Sequence, residues 1–484
     1  MDDFKATPNT ERNEGQFKRS LSLLDGSLLV IGSMIGSGIF ITSSEMARTV
    51  GSSGWLLLIW ILSGIITMIA AMSYGELSGM FPKAGGQYVY LKEAYNKKIA
   101  FLYGWSFFAV IQTGTIAAVA VAFAKYTGYI FPAFGESNIL FQIGESFKIS
   151  ASQVLAIASI LLLTFMNSRG VRSGKRIQFI FTFAKIAALG ALIVMGFWIA
   201  KDLDVWTANI SSAWRARSVV FTDGAIFHQS LNGFALIAAL GVGMVGAIFS
   251  SDAWNGVTFI AGEIKNPKRN IGLSLFIGTF VVTIIYVACN FMYVSVLSMT
   301  QIASAPEDRV AVAASEIIFG NDGAKIIAVM IMVSTFGCNN GLIMAGARVY
   351  FQMANDRLFF PKAKILNIKG VPSRALWMQC IWASLLCLSG HYNDLLKFIV
   401  FTVLLFYILT IAGIFILRKN RPDLERPYKA FGYPVLPAIY ILIATIICAV
   451  LLYEQTFYSG MGLLIVLIGL PIYRYLDKKY PEQL

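Results

Sequence analysis

Twelve long apolar stretches run through this chain, and they limit its fold more than any other feature. They lie near residues 24 to 47, 54 to 80, 99 to 131, 152 to 166, 177 to 199, 230 to 262, 271 to 297, 324 to 351, 374 to 389, 394 to 417, 435 to 453 and 457 to 475. A helix needs roughly 20 mostly apolar residues to cross a bilayer's hydrocarbon core. Hydrocarbon offers the backbone no hydrogen-bond partner, so a spanning segment pairs its own N–H and C=O groups as a helix or closes into a barrel. None of the stretches alternates with the two-residue period of a barrel strand. The sequence therefore predicts an all-α polytopic membrane protein with twelve transmembrane helices. Composition agrees: 57% of the 484 residues are hydrophobic and 13% charged, against roughly 25% charged in a soluble domain.

The net charge of +13 would suit a nucleic-acid ligand on a soluble protein, but in a membrane protein the placement of Lys and Arg is what counts. With the amino terminus inside, most of them fall in inner segments: Lys5 to Arg19, Lys83 to Lys98, Arg169 to Arg176, Lys265 to Arg269, Arg348 to Arg374, Arg418 to Lys429 and Arg474 to Lys479. The outer segments hold Arg48, Lys148, Lys201, Arg215, Arg217, Arg309, Lys325 and Lys397, while Lys125 and Lys185 lie within spans. This bias predicts cytoplasmic amino and carboxyl termini and no nucleic-acid partner. The polar residues 1–20 hold no cleavable signal, so the first span would direct insertion into the plasma membrane, a bacterial inner membrane or its eukaryotic equivalent.

Catalytic and metal chemistry find little support. Cys289, Cys338, Cys380, Cys387 and Cys448 all sit in apolar stretches with no ligand spacing, so neither disulfide nor metal is expected. The two histidines, His228 and His391, fall at or near the outer surface, away from any nucleophile. Gly170 to Arg176 has the wrong glycine spacing for a phosphate loop and no Ser or Thr after Lys175. No catalytic residue and no cofactor is expected. Asn209-Ile210-Ser211 fits a glycosylation sequon, a tripeptide common by chance.

Two spans contain residues a continuous helix would not choose. Gly32-Ser33-Met34-Ile35-Gly36-Ser37-Gly38 places three glycines within seven residues of the first, each costing roughly 1 kcal/mol against alanine in a helix interior. A small-residue packing face at Gly32 and Gly36 is the alternative reading. In the sixth, Phe249-Ser250-Ser251-Asp252-Ala253-Trp254-Asn255-Gly256 interrupts an apolar run with hydroxyls, a carboxylate and an amide. Interruptions in the first and sixth of ten core helices are the pattern of a transporter built from two inverted five-helix repeats, with its site between the breaks. Unwound segments expose N–H groups at one half-helix start and carbonyls at the other half-helix end, which suits a zwitterionic amino acid. The two halves share no detectable residue-level similarity, so the repeat rests on topology.

Ionisable residues inside spans are costly and point to function. Lys185 lies nine residues past Arg176, roughly 13 Å deep at ~1.5 Å per residue. It either faces the bundle interior or snorkels to the inner surface. Asp252 reads either as a proton-coupling carboxylate or as a cap on the second half-helix. Glu76 and Glu263 lie toward inner helix ends, where pairing with Lys or Arg competes with a gating role.

Six ordered motifs carry a resemblance to a known family: Ile35-Gly36-Ser37-Gly38-Ile39-Phe40; Tyr74-Gly75-Glu76-Leu77 followed by Pro82 to Tyr88; Phe249 to Asn255; Glu263 to Asn270; Asn340-Gly341 with Ala347-Arg348; and Arg426-Pro427-Tyr428-Lys429. Through them nearly the whole chain resembles the L-type amino acid transporter branch of the amino acid, polyamine and organocation superfamily, including its bacterial exchangers. The resemblance implies the leucine-transporter fold. Residues 1–20 would form a cytoplasmic tail, 21–417 a ten-helix transport core, 418–475 helices 11 and 12, and 476–484 a second tail. It implies a substrate carboxylate on the N–H groups around Gly36, Ser37 and Gly38, with Ile35 beside them. The ammonium would meet carbonyls near Met34, Phe249 and Asp252, with Ser250 and Asn255 nearby and Phe249 as outer gate. Lys185 matches the lysine that stands where sodium-coupled cousins bind sodium, which implies sodium-independent exchange.

Two departures from the family pattern matter. Leu342 stands where a small hydroxyl residue often follows the Asn-Gly of helix 8, leaving Asn339 and Ser334 as candidate partners for Lys185. Mammalian members attach to a heavy chain through a cysteine between helices 3 and 4, whereas residues 132–151 contain none, so no disulfide-linked heavy chain is expected. The functional expectation is a secondary transporter of neutral L-amino acids working by exchange. A proton-coupled symporter using Asp252 or Glu76, and an amino acid sensor on the same scaffold, are the alternatives.

Overall fold

The computed structural model describes residues 19–143, 147–200, 202–222, 225–388 and 392–479. Lys5, Arg12, Lys18, His391 and residues 480–484 therefore lie outside the described residues. The first apolar stretch forms two helices, α1 (Leu23–Met34) and α2 (Gly38–Val50), bent by 41° across residues 35–37. The second is α3 (Ser53–Met80). After the short α4 (Gln87–Ala94), helices α5 (Lys97–Ser106) and α6 (Gln112–Ile130) join through a π-helical turn, Phe107–Ile111, as one 34-residue span. Next come α7 (Ala151–Ser168), α8 (Val171–Ile199) and α9 (Leu203–Ser211).

The second interruption lies between α10 (Phe234–Ser250) and the single-turn α11 (Gly256–Phe259). The chain continues through α12 (Pro267–Val296), α13 (Met299–Ala303) and the 46-residue α14 (Val310–Asn355), which breaks at Gly320 (φ 72°). It ends with α15 (Ser373–Cys387), α16 (Tyr392–Asn420), α17 (Val435–Glu454) and α18 (Thr456–Lys479).

The protein is integral to the membrane and predominantly helical. Among the described residues, nine helices are long and apolar enough to cross a bilayer, or ten with the bent α1–α2 pair counted as one. Each of the twelve predicted stretches contains a helix, but α10 and α15, at 17 and 15 residues, are shorter than those nine. The all-α expectation also needs an addition. Two antiparallel hairpins occupy segments read as outer loops: β1 (Ile139–Ile143) with β2 (Phe147–Ser150), and β3 (Arg217–Thr222) with β4 (Ala225–Ser230). Outside hydrocarbon a segment is free to pair as strands, and the β-branched and aromatic run Val219-Val220-Phe221-Thr222 suits that pairing.

Around the first break, α1 packs on α8, α12 and α14, while α2 packs on α10. The start of α1 is fixed twice. Ser22 caps it in a reciprocal box with Asp25, whose carboxylate accepts from the Ser22 N–H at 2.8 Å. Just before it, Leu21 N–H donates to Glu263 O at 3.0 Å and Lys265 N–H to Leu21 O at 2.8 Å, which ties α1 to the strand-like segment after α11. Beneath this bridge, Arg348 Nε donates to Glu263 Oε1 at 2.9 Å, with both side chains almost wholly buried. Glu76 is likewise paired: Arg418 and the Ala430 N–H each reach its Oε2 at 2.7 Å. Both acids thus serve contacts between helices.

Candidate functional site

A helix that stops at Met34 leaves its last carbonyls without intrahelical donors, and buried carbonyls must be paired. Four side chains from other helices supply the donors. Lys185 of α8, only 1% exposed, donates to Gly32 O and Ile35 O, each at 2.7 Å. Cys338 Sγ reaches Ser33 O at 2.9 Å, the Tyr286 hydroxyl of α12 reaches Met34 O at 2.7 Å, and Ser334 reaches Ile35 O at 3.3 Å. The ammonium also stands at the negative end of the α1 dipole, where a cation is favoured.

These contacts decide between the two readings of Lys185. It faces inward and does not snorkel, and its partners are backbone carbonyls rather than side chains of α14. Ser334 shares the Ile35 carbonyl instead of binding the ammonium, and Asn339 turns to Ile116 O at 3.2 Å.

The second break sits directly beside the first. Tyr286 lies 3.0 Å from Ser250 O as well as 2.7 Å from Met34 O, so one phenol joins both interruptions. Thr42 Oγ1 stands 3.2 Å from Ser250 Oγ. Contact at Gly38 is closer still: a Cβ added there would fall 2.0 Å from Ser250 Oγ and 2.9 Å from Ser250 Cα. Because the backbone itself blocks the added atom, Gly38→Val is expected to force the two breaks apart. It should lower amino acid binding at least tenfold in a radioligand assay while the protein remains monodisperse.

Residues 251–255 belong to no helix, and Ala253 adopts φ 66°. A left-handed conformation costs an L-residue roughly 1–2 kcal/mol. Ala253→Gly is therefore expected to raise stability by about 1 kcal/mol, measured as a higher melting temperature in detergent.

Asp252, Ala253 and Asn255 line a small cavity together with Gln87, Tyr103, Phe107, Gln112, Leu342 and Tyr407. Its volume is about 20 Å³, enough for one water molecule and far too small for an amino acid. Binding there requires the surrounding helices to move apart. Tyr407 donates to Asp252 Oδ1, Asn255 Nδ2 donates to Gln87 Oε1 at 3.2 Å, and Gln87 Nε2 donates to Thr410 at 3.0 Å. The π-turn Phe107–Ile111 borders the same cavity, a common position for such bulges.

The structure thus brings together Met34, Ile35, Gly36, Ser37, Gly38, Phe249, Ser250, Asp252, Asn255 and Lys185 around two adjacent breaks. Phe249, 7% exposed, lies in the last turn of α10 next to them. Tyr286, Cys338, Gln87, Gln112, Tyr103 and Tyr407 were not anticipated. For all but Gln87, which opens α4, the one available signal was polarity within apolar spans.

This arrangement of paired helix breaks extends through a chain whose residues 21–470 match a family model described as amino acid permease. The chain belongs to the amino acid permease family. Several curated amino acid transporters are similar over nearly its whole length. The serine/threonine exchanger SteT of Bacillus subtilis (strain 168) is 29% identical over 466 residues, covering 96% of this chain and 98% of that protein. The human large neutral amino acids transporter small subunit 2 is 30% identical over 458 residues, covering 94% and 80%. The mouse b(0,+)-type amino acid transporter 1 is 27% identical over 479 residues, covering 98% and 91%. An amino acid permease is a transporter and not an enzyme, and its substrates are small molecules.

Proposed function

We propose that this permease exchanges neutral L-amino acids across the plasma membrane by alternating access, without sodium. The observation that carries the reading is Lys185, whose ammonium holds the Gly32 and Ile35 carbonyls at the first break. A fixed positive charge there does electrostatically what a bound monovalent cation would do, so no ion gradient need supply it. The substrate's carboxylate meets the N–H groups at the start of α2, around Gly36, Ser37 and Gly38. Its ammonium meets carbonyls at the ends of α1 and α10, near Met34, Phe249 and Asp252, while Phe249 closes the outer side. Ser250 and Asn255 complete the polar surroundings.

The fold proposed with this function is the twelve-span leucine-transporter arrangement, ten core helices within 21–417 and two more within 418–475, with both termini cytoplasmic. A bacterial inner membrane is the proposed location, and no disulfide-linked heavy chain is needed. Neutral substrates fit the cavity lining, where Asp252 is already hydrogen-bonded by Tyr407.

A substrate panel tests this reading. In reconstituted vesicles, alanine, serine or leucine should compete for uptake at least tenfold better than lysine or glutamate, and preference for a charged amino acid would overturn the neutral assignment. The half-buried position of Asp252 favours a second reading, proton-coupled symport, because a carboxylate withdrawn from water takes up a proton more readily. A substrate-induced proton current that Asp252→Asn abolishes would select it. The sensor alternative requires that substrate bind but never cross.

A further inference from the structure

A second cavity lies away from the helix breaks, on the outer face of the bundle. It is a groove of about 810 Å³ between α5, the π-turn, α15 and α18, lined almost entirely by apolar side chains. Phe101 and Trp105 of α5 and Ile465, Ile468 and Ile472 of α18, two helices packed on each other, line one side, and Trp382 and Leu386 of α15 line another. The two indoles that border it turn their N–H groups away, Trp105 to Ile465 O and Trp382 to Ala109 O, both at 2.9 Å. The groove therefore offers water and polar solutes few hydrogen bonds.

Its two ends differ. Lys479 and Pro361 line one mouth. Pro361 opens the turn Pro361–Lys364, so Lys362 and Lys364 follow at once, and Lys478 precedes Lys479. All four lysines are exposed, against one acid, Asp477, on the same stretch of α18. The Lys479 ammonium lies 5.5 Å from the Tyr475 ring centroid, itself on the groove rim. From Met461 to Leu476 the groove follows α18 for about 22 Å at ~1.5 Å per residue, more than one leaflet's share of a roughly 30 Å hydrocarbon core. The opposite end, at Met461 and Gly114, is apolar.

We propose that this groove is a binding site for an anionic phospholipid. Its acyl chains lie along α18, against α5 and α15, and its phosphate is held at the lysine-rich mouth. The apolar walls account for the chains, and the one-ended cluster of cations accounts for the choice of an anionic headgroup over a zwitterionic one. A juxtamembrane cation contributes about 1 kcal/mol toward an anionic lipid surface, roughly fivefold in affinity.

Native mass spectrometry of the detergent-purified protein, titrated with dioleoyl phosphatidylglycerol and dioleoyl phosphatidylcholine, tests the proposal. Phosphatidylglycerol should bind at least tenfold more tightly. Lys479→Gln and Lys362→Gln should each weaken it about fivefold and leave phosphatidylcholine unchanged. Both lysines are exposed, so neither change disturbs the folded core. Ile468→Trp, which fills the groove, should weaken both lipids. Equal binding of the two lipids, or binding indifferent to all three substitutions, would overturn the proposal. So would cross-linking through Ile468→Cys in vesicles that captures a second copy of this chain in place of lipid.

Discussion

Replacing Lys185 with glutamine is expected to reduce transport at least a hundredfold while leaving a monodisperse protein. The ammonium supplies two 2.7 Å hydrogen bonds to Gly32 O and Ile35 O, and bonds to a charged donor are each worth about 1.5–3 kcal/mol. An amide of glutamine is shorter than the lysine side chain, carries no charge against the α1 dipole, and cannot reach both carbonyls. The α1 end would then be held by Cys338, Tyr286 and Ser334 alone. Arginine should not rescue the loss, because its planar fork needs more room than a compact ammonium. Uptake assays on reconstituted wild type, Lys185→Gln and Lys185→Arg check this. Wild-type rates in either variant would reduce Lys185 to a packing residue.

A second large effect is expected at the buried pair below the breaks. Arg348→Ala leaves Glu263, 3% exposed, as an unpaired buried charge. Breaking such a pair costs about 3–5 kcal/mol, so the melting temperature in detergent should fall sharply. Glu263→Gln combined with Arg348→Met should recover most of the loss, since replacing both partners removes the uncompensated charge. A single Arg348→Ala protein as stable as wild type would show that this pair does not secure the C-terminal part of α14 against the segment after α11.

Much of the candidate site was legible because membrane helices tolerate few interruptions. Glycines at 32, 36 and 38 and the polar run 250–255 stand out from apolar sequence, and both mark real helix ends at Met34 and Ser250. Lys185 stood out for the same reason. Its partners did not, because an ammonium invites a search for oxygen-bearing side chains, whereas the break itself provides the acceptors. The residues that converge from other helices were hidden for a related reason. Tyr286, Gln112 and Tyr407 sit in ordinary apolar spans and Gln87 in the short α4 between two of them, and helical periodicity does not say which faces meet across the bundle. The hairpins were hidden because outer loops are free of the lipid constraint that made the spans readable. Glu76 and Glu263 were each left between pairing and gating, and tertiary contacts with Arg418 and Arg348 are what give them partners.

Counterflow tests the central claim most directly. The purified protein would be reconstituted in liposomes with sodium-free buffer on both sides and no pH gradient, and uptake of radiolabelled serine measured with and without unlabelled amino acid inside. Exchange at the paired breaks predicts uptake that requires internal amino acid and is unchanged when sodium is added outside. Uptake that appears only with an imposed sodium or proton gradient would contradict it.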